Sequence, residues 1–142
     1  MSDLTRFIDA QAHNYEDALR EIQNGRKTSC WMWYVFPQIQ GLGRSSMAKR
    51  YEIKDLQEAR DYVKDDILGS RLVEICSAAL AVDSDDARAV FGCPDDMKLR
   101  SSMTLFEMAA PDNPIFGKVL DKYFHGERDG ETLRILRRMD TL

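Results

Sequence analysis

The patterns that usually announce a chemistry are missing from this chain. Its two histidines, His13 and His125, are far apart in the sequence. No HExxH, EF-hand loop or Cys/His cluster accompanies them, so no metal and no cofactor are expected. There is no GxSxG elbow for a Ser-His-Asp hydrolase either. Cysteine is scarce: Cys30, Cys76 and Cys93 are an odd number without CxxC spacing, which points to reduced thiols and a cytoplasmic protein. Met1-Ser2-Asp3-Leu4 has neither the basic nor the apolar region of a signal peptide. No uncharged apolar run approaches the ~20 residues that cross a bilayer, so no membrane partner is expected. A basic excess is absent as well: 20 Lys and Arg stand against 24 Asp and Glu, for a net charge of -4. Duplex nucleic acid is therefore not an expected partner, although Arg44, Lys49 and Arg50 make a local basic patch.

What is present describes an ordinary globular chain. Its 142 residues fit one domain, spanning 1–142. A chain of this size buries roughly two-thirds of its extended surface and needs no staples. Hydrophobic residues make up 44% and charged residues 31%, which argues against disorder. Leu4, Phe7, Ile8, Tyr15, Leu19 and Ile22 follow helical spacing behind Asp3, as one helix or as two with Asn14 as a second start, up to Asn24-Gly25. Asp55 with Glu58 has the form of a capping box. The steps from Ile67 to Leu80 indicate another helix, and Asp83 to Asp86 form a loop and cap. Pro94 with Asp95 and Asp96 opens a helix to about Ala109, and Asn113-Pro114 opens the next, which Gly126 ends. A basic helix with Leu133, Leu136 and Met139 closes the chain. The expectation is an all-α fold: a single compact domain of about seven helices, some short, around one core.

Three segments are candidates for chemistry. In Gln38-Ile39-Gln40-Gly41-Leu42-Gly43-Arg44-Ser45-Ser46, two glycines allow backbone N–H groups to converge, and a helix from about Ser46 aims its positive end there. Arg44 offers a phosphate or carboxylate two hydrogen bonds. The plainer alternative is a turning loop with Ser45 or Ser46 as a helix cap. Trp31-Met32-Trp33-Tyr34-Val35-Phe36-Pro37 is apolar on every side. A short buried helix is favoured there over a lone strand, whose backbone groups would lack partners. Its indoles either pack in the core or stack on a flat ligand ring. Lys98, Ser101 and Ser102 share one helical face, either as polar contacts or as a binding edge.

Several of these residues also carry a resemblance. Arg6-Phe7, Ala10-Gln11, Trp31-Met32-Trp33, Phe36-Pro37-Gln38, Gly41-Leu42-Gly43 with Ser45, Leu99 through Phe106, and Tyr123-Phe124 with Gly126 resemble the bacterial domain-of-unknown-function 1810 family. The resemblance implies a mainly helical single domain and no established activity. The family pattern commonly has His before the Trp-Met-Trp element, where this chain has Cys30. A thiol replaces a general base poorly near neutral pH. The order of helical segments is also loosely similar to the NADAR group of helical ADP-ribose-processing proteins, from which no residue role carries over.

Together these readings expect Trp31, Trp33, Gln38, Gly41, Gly43, Arg44, Ser45, Lys98 and Ser102 to surround one polar ligand pocket. The expected partner is a phosphorylated nucleotide-type small molecule, related to ADP-ribose or NAD. The alternative is a non-enzymatic module for protein interaction or self-association, using the aromatic run and seven methionines. No catalytic residue is assigned.

Overall fold

A computed structural model describes residues 2–140; Met1, Thr141 and Leu142, which the expected 1–142 domain includes, lie outside them. The first segment forms one helix, α1 (Thr5–Gln23). Its buried face runs Phe7, Gln11, Tyr15, Ala18, Ile22 in unbroken helical steps, so the stripe passes straight through the alternative start at Asn14. Asp3 accepts a hydrogen bond from the Thr5 N–H at 3.0 Å, and Gly25, at φ +84°, stops the helix.

The aromatic segment is a single helical turn, α2 (Met32–Val35), with Trp31, Met32, Tyr34, Val35 and Phe36 all buried. α3 (Ser46–Arg50) follows. Between α2 and α3 the chain touches the segment beyond α3: Gln40 N–H donates to Ile53 O and Ile53 N–H to Gln38 O, each at 2.8 Å. This isolated parallel bridge is the only sheet-like pairing among the described residues.

The caps at α4 (Leu56–Lys64) and beyond follow their sequence signals. Asp55 accepts from the Glu58 N–H at 2.8 Å. The reciprocal half of the expected box is displaced by one residue, because Glu58 accepts from Lys54 N–H and not from Asp55. Arg6 supplies the counter-charge at 3.0 Å from Glu58, whose side chain is 5% exposed. α5 (Asp66–Ala81) is capped by Asp65, and α6 (Ala87–Phe91) by Asp86. Gly69 is where α5 leans on the end of α4: a Cβ there would stand 2.0 Å from the Val63 carbonyl oxygen.

α7 (Asp95–Ala109) is the centre of the fold. Residues 101–106 are buried without interruption, because α4, α6, α8 (Ile115–Phe124) and α9 (Gly130–Asp140) all pack on it. Asn113 caps α8 through the Ile115 N–H. His125 itself takes the left-handed position that closes α8, at φ 54°. Asp129 opens α9 by accepting from the Thr132 N–H. Aromatic rings link the layers: Tyr62 lies 5.2 Å from Phe7 and 5.2 Å from Phe106, which lies 5.8 Å from Phe116. Each such pair adds about 0.5–1.5 kcal/mol beyond its buried area.

The class is all-α, with nine helices among the described residues where about seven were expected. Three of the nine, α2, α3 and α6, are only four or five residues long. Elements that short never complete the two turns that periodicity requires.

Candidate functional site

The two indoles have different fates. Trp31 is 1% exposed, its ring packs 6.2 Å from Phe36, and its Nε1 donates to Glu21 at 2.9 Å. Glu21 also accepts from the Thr28 N–H at 2.7 Å, the Ser29 N–H at 3.0 Å and the Ser29 hydroxyl at 2.5 Å. Burial pushes the Glu21 carboxyl up, but these donors outweigh it and hold the group down at about 2. Trp31 therefore presents no free ring face; it clamps the loop after α1 onto α2.

Trp33 is only half-buried. The Lys98 ammonium lies 5.2 Å from its ring centroid, within range of a cation–π contact. Lys98 also stands 3.4 Å from Asp95, which pairs with Lys27 at 2.7 Å. Lys27 in turn lies 5.1 Å from the Trp31 ring centroid. A chain of contacts thus runs Trp31, Lys27, Asp95, Lys98, Trp33, with two ammonium groups to one bridging carboxylate.

One turn after Lys98 on α7, Ser102 is fully buried and its hydroxyl has no hydrogen-bond partner among the described residues. Its neighbours differ. Ser101 donates to Asp129 at 2.9 Å, and Thr104 donates to the Arg100 carbonyl and accepts from the Asp129 N–H. Mid-helix hydroxyls normally find such partners, which sets Ser102 apart.

The glycine loop is built for closeness. Gly41, at φ +101°, takes a conformation that side chains disfavour and lies against Ile135 of α9. A Cβ on Gly43 would meet the Ala48 Cβ at 2.3 Å, so its lack of a side chain lets the loop fold onto α3. Ser45 is the helix cap, accepting from the Ala48 N–H at 3.1 Å. Of the N–H groups of the five-residue α3, Ser45 serves that of Ala48. Gln38 is half-buried and contributes its carbonyl to the bridge with Ile53. Arg44 is exposed, with no hydrogen bond or ion pair among the described residues.

The structure thus joins Trp33 to Lys98, with Ser102 beside them on α7. The loop of Gly41 to Ser45 meets α9 at Ile135, six residues beyond the Asp129 that Ser101 contacts, or about 9 Å along the helix. α9 borders both parts, but no contact joins Arg44 to Lys98 among the described residues. Glu21, Lys27 and Asp95 complete the polar surround and were not singled out from the sequence. Their signals were the i, i+3 spacing of Asp95 and Lys98 and the four-residue step from Lys27 to Trp31.

Clefts lie elsewhere. One of about 520 Å³ opens between α4, α7 and α9 over Leu56, Met108, Leu133 and Leu136. Another of about 510 Å³ adjoins it at Arg60 and runs to Pro114. None of the residues expected at a ligand site lines either cleft. Trp33 and Lys98 are partly exposed and Arg44 is exposed, whereas Trp31 and Ser102 are buried. Among the described residues, no group of three or more His, Cys, Asp or Glu is placed to hold a metal ion. No described helix is long and apolar enough to cross a membrane.

No curated protein matches this chain. Its structure is similar to the crystal structure of the conserved hypothetical protein Rv1873 from Mycobacterium tuberculosis. The two are 45% identical, with a TM-score of 0.93, over 95% of this chain and 96% of that one. A family model described as a protein of unknown function, DUF1810, matches residues 1–136. A helical chain matched over almost its whole length in this way belongs to the DUF1810 family.

Proposed function

We propose that this protein binds an anionic, ring-bearing small molecule of the phosphorylated nucleotide class, related to ADP-ribose or NAD, where Lys98 meets Trp33. The observation that carries the reading is the Lys98 ammonium held over a half-buried indole on a rigid, central helix. A phosphate would find a second cation in the exposed Arg44, whose guanidinium suits two-point contact. The flat base or nicotinamide packs against the apolar side of Trp33. The reading is one of binding. Ser102 is too deeply buried to attack a ligand, and its hydroxyl meets no base within hydrogen-bond reach among the described residues.

Thermal unfolding against NAD, ADP-ribose, sugar phosphates and inorganic phosphate tests it. A ligand at 100 times its dissociation constant adds ~2.7 kcal/mol, which moves the midpoint by roughly 5–10 °C at this size. ADP-ribose or NAD is expected to give that shift, phosphate alone a smaller one, and Arg44→Ala to reduce it. No shift across the panel sinks the reading.

One observation favours a second reading, a protein-interaction or self-association module. The cleft between α4, α7 and α9 has an apolar floor, and Met108 at its edge is 45% exposed. Light scattering at two protein concentrations distinguishes self-association from a monomer.

A further inference from the structure

We propose that Lys27 is a positioning residue for the Lys98–Trp33 surface and sets its preference for anions. It does so by occupying the Asp95 carboxylate, which leaves the Lys98 ammonium for a ligand. The inference rests on the binding reading above and names what gives that site its charge.

The two ammonium groups around Asp95 are not equivalent. Lys27 Nζ stands 2.7 Å from Asp95 Oδ2, and its side chain is 9% exposed. It also donates to the Ser29 carbonyl at 2.6 Å and lies 5.1 Å from the Trp31 ring centroid. Its backbone is fixed as well, since the Lys27 N–H donates to the Val90 carbonyl at 2.7 Å. An ammonium has three hydrogens, and this one gives two of them to oxygens beside an indole, so it has little to offer a ligand. Lys98 Nζ is 3.4 Å from Asp95 Oδ1, and its side chain is 24% exposed. That separation exceeds the usual N–H···O range of about 2.7–3.2 Å.

Counting charges gives the consequence. Asp95 sits in the first turn of α7, where the helix N-terminus stabilises a negative charge. Lys27, Asp95 and Lys98 together carry one positive charge, and the closer pair leaves it on Lys98. Glu21, the carboxylate bonded to the Trp31 indole, makes its contacts to N–H and hydroxyl groups. Neither it nor Asp96, the next residue on α7, pairs with either lysine among the described residues. Without Lys27, Asp95 and Lys98 make a neutral couple, and an anion gains nothing from that couple beside the ring.

Calorimetric titration with ADP-ribose compares wild type, Lys27→Met, Asp95→Asn and the double variant. Lys27→Met is expected to weaken binding about fivefold, and adding Asp95→Asn to restore it to within about twofold of wild type. A merely structural role for Lys27 is not repaired by removing a second partner. Asp95→Asn alone is expected to bind at least as tightly as wild type. Weaker binding there would mean that Asp95 holds Lys98 in place, and it would overturn the proposal, as would equal affinity of Lys27→Met and wild type.

A second readout needs no nucleotide. Trp31 is 1% exposed and Trp33 is half-buried, so collisional quenching by iodide and by caesium reads the charge beside Trp33. The iodide-to-caesium ratio is expected to fall in Lys27→Met, to rise in Asp95→Asn and to recover in the double variant. A ratio indifferent to these changes sinks the inference even if ADP-ribose binds. If wild type binds no ADP-ribose but the ratio behaves as expected, the nucleotide reading fails and the charge arrangement stands. Should Lys27→Met fail to fold, the direction of the Asp95→Asn ratio decides.

Discussion

Lys98 holds its ammonium 5.2 Å from the ring centroid of Trp33 while the backbone beneath it belongs to the most enclosed helix of the fold. The two residues are 65 positions apart and are joined only by tertiary packing. The Lys98 side chain is 24% exposed, so its contacts with Trp33 and Asp95 are partly screened by solvent. Lys98→Met is expected to cost no more than about 1 kcal/mol in urea unfolding. A loss of ligand binding in that variant then reports on the site and not on the fold.

Lys122 does the opposite, giving its charge entirely to structure. Its ammonium donates to the carbonyls of Ala79, Leu80 and Val82 at 3.2, 2.8 and 2.5 Å. These lie at the end of α5, whose last turn has no basic residue of its own. Lys122→Met removes a charged donor from a helix C-terminus and is expected to destabilise the protein by about 2 kcal/mol. Urea unfolding at neutral pH is the measurement, and a variant as stable as wild type would contradict this capping role.

Gly69 and Gly130 give a paired steric test. A Cβ at Gly69 meets the backbone oxygen of Val63 at 2.0 Å, whereas one at Gly130 meets nothing within 4 Å. Backbone does not step aside as a flexible side chain does. Gly69→Ala is therefore expected to lose about 2–3 kcal/mol or more. Gly130→Ala, at the first turn of α9, is expected to change stability by less than about 1 kcal/mol. Equal midpoints for the two variants would mean that α4 and α5 are not so closely apposed.

The acid side of the stability profile contains a signature of Glu21. Burial raises its carboxyl, and the bonds from Ser29, Thr28 and Trp31 more than reverse that, to about 2 from an ordinary 4.5. A folded-state value below the unfolded one stabilises the protein when the group is ionised. The contribution is full above the ordinary value and fades as pH falls towards about 2. The stability gap between wild type and Glu21→Gln is expected to be widest near neutral pH and to close through that window. A gap that stays constant with pH would show that the carboxylate's charge is not what holds Trp31.

The parts of this fold legible in the sequence are the local ones. Asp55, Asp86 and Asn113 each cap the helix that their spacing announces, because a cap and its partner N–H are only two or three residues apart. Ser45 falls in the same class, and its role as a cap is the plainer of the two readings open for it. The site was less legible. Trp31 and Trp33 look alike in the sequence, and what separates them is Glu21 on one side and Lys98 on the other, both brought in by tertiary packing. Ser101 and Ser102 are adjacent, yet one meets Asp129 of a distant loop and the other meets no partner among the described residues. Gln11 is part of the helical stripe in the sequence, and its bonds to the Tyr34 carbonyl and the Tyr62 hydroxyl emerge only in the folded chain.

The most direct test of the binding account is a calorimetric titration of wild type and Lys98→Met with ADP-ribose at one salt concentration. Saturable binding to wild type, weakened tenfold or more in Lys98→Met, is the predicted result; a tenfold loss corresponds to ~1.4 kcal/mol. Equal affinity for both proteins, or no heat with wild type, would contradict the assignment of this surface as the ligand site.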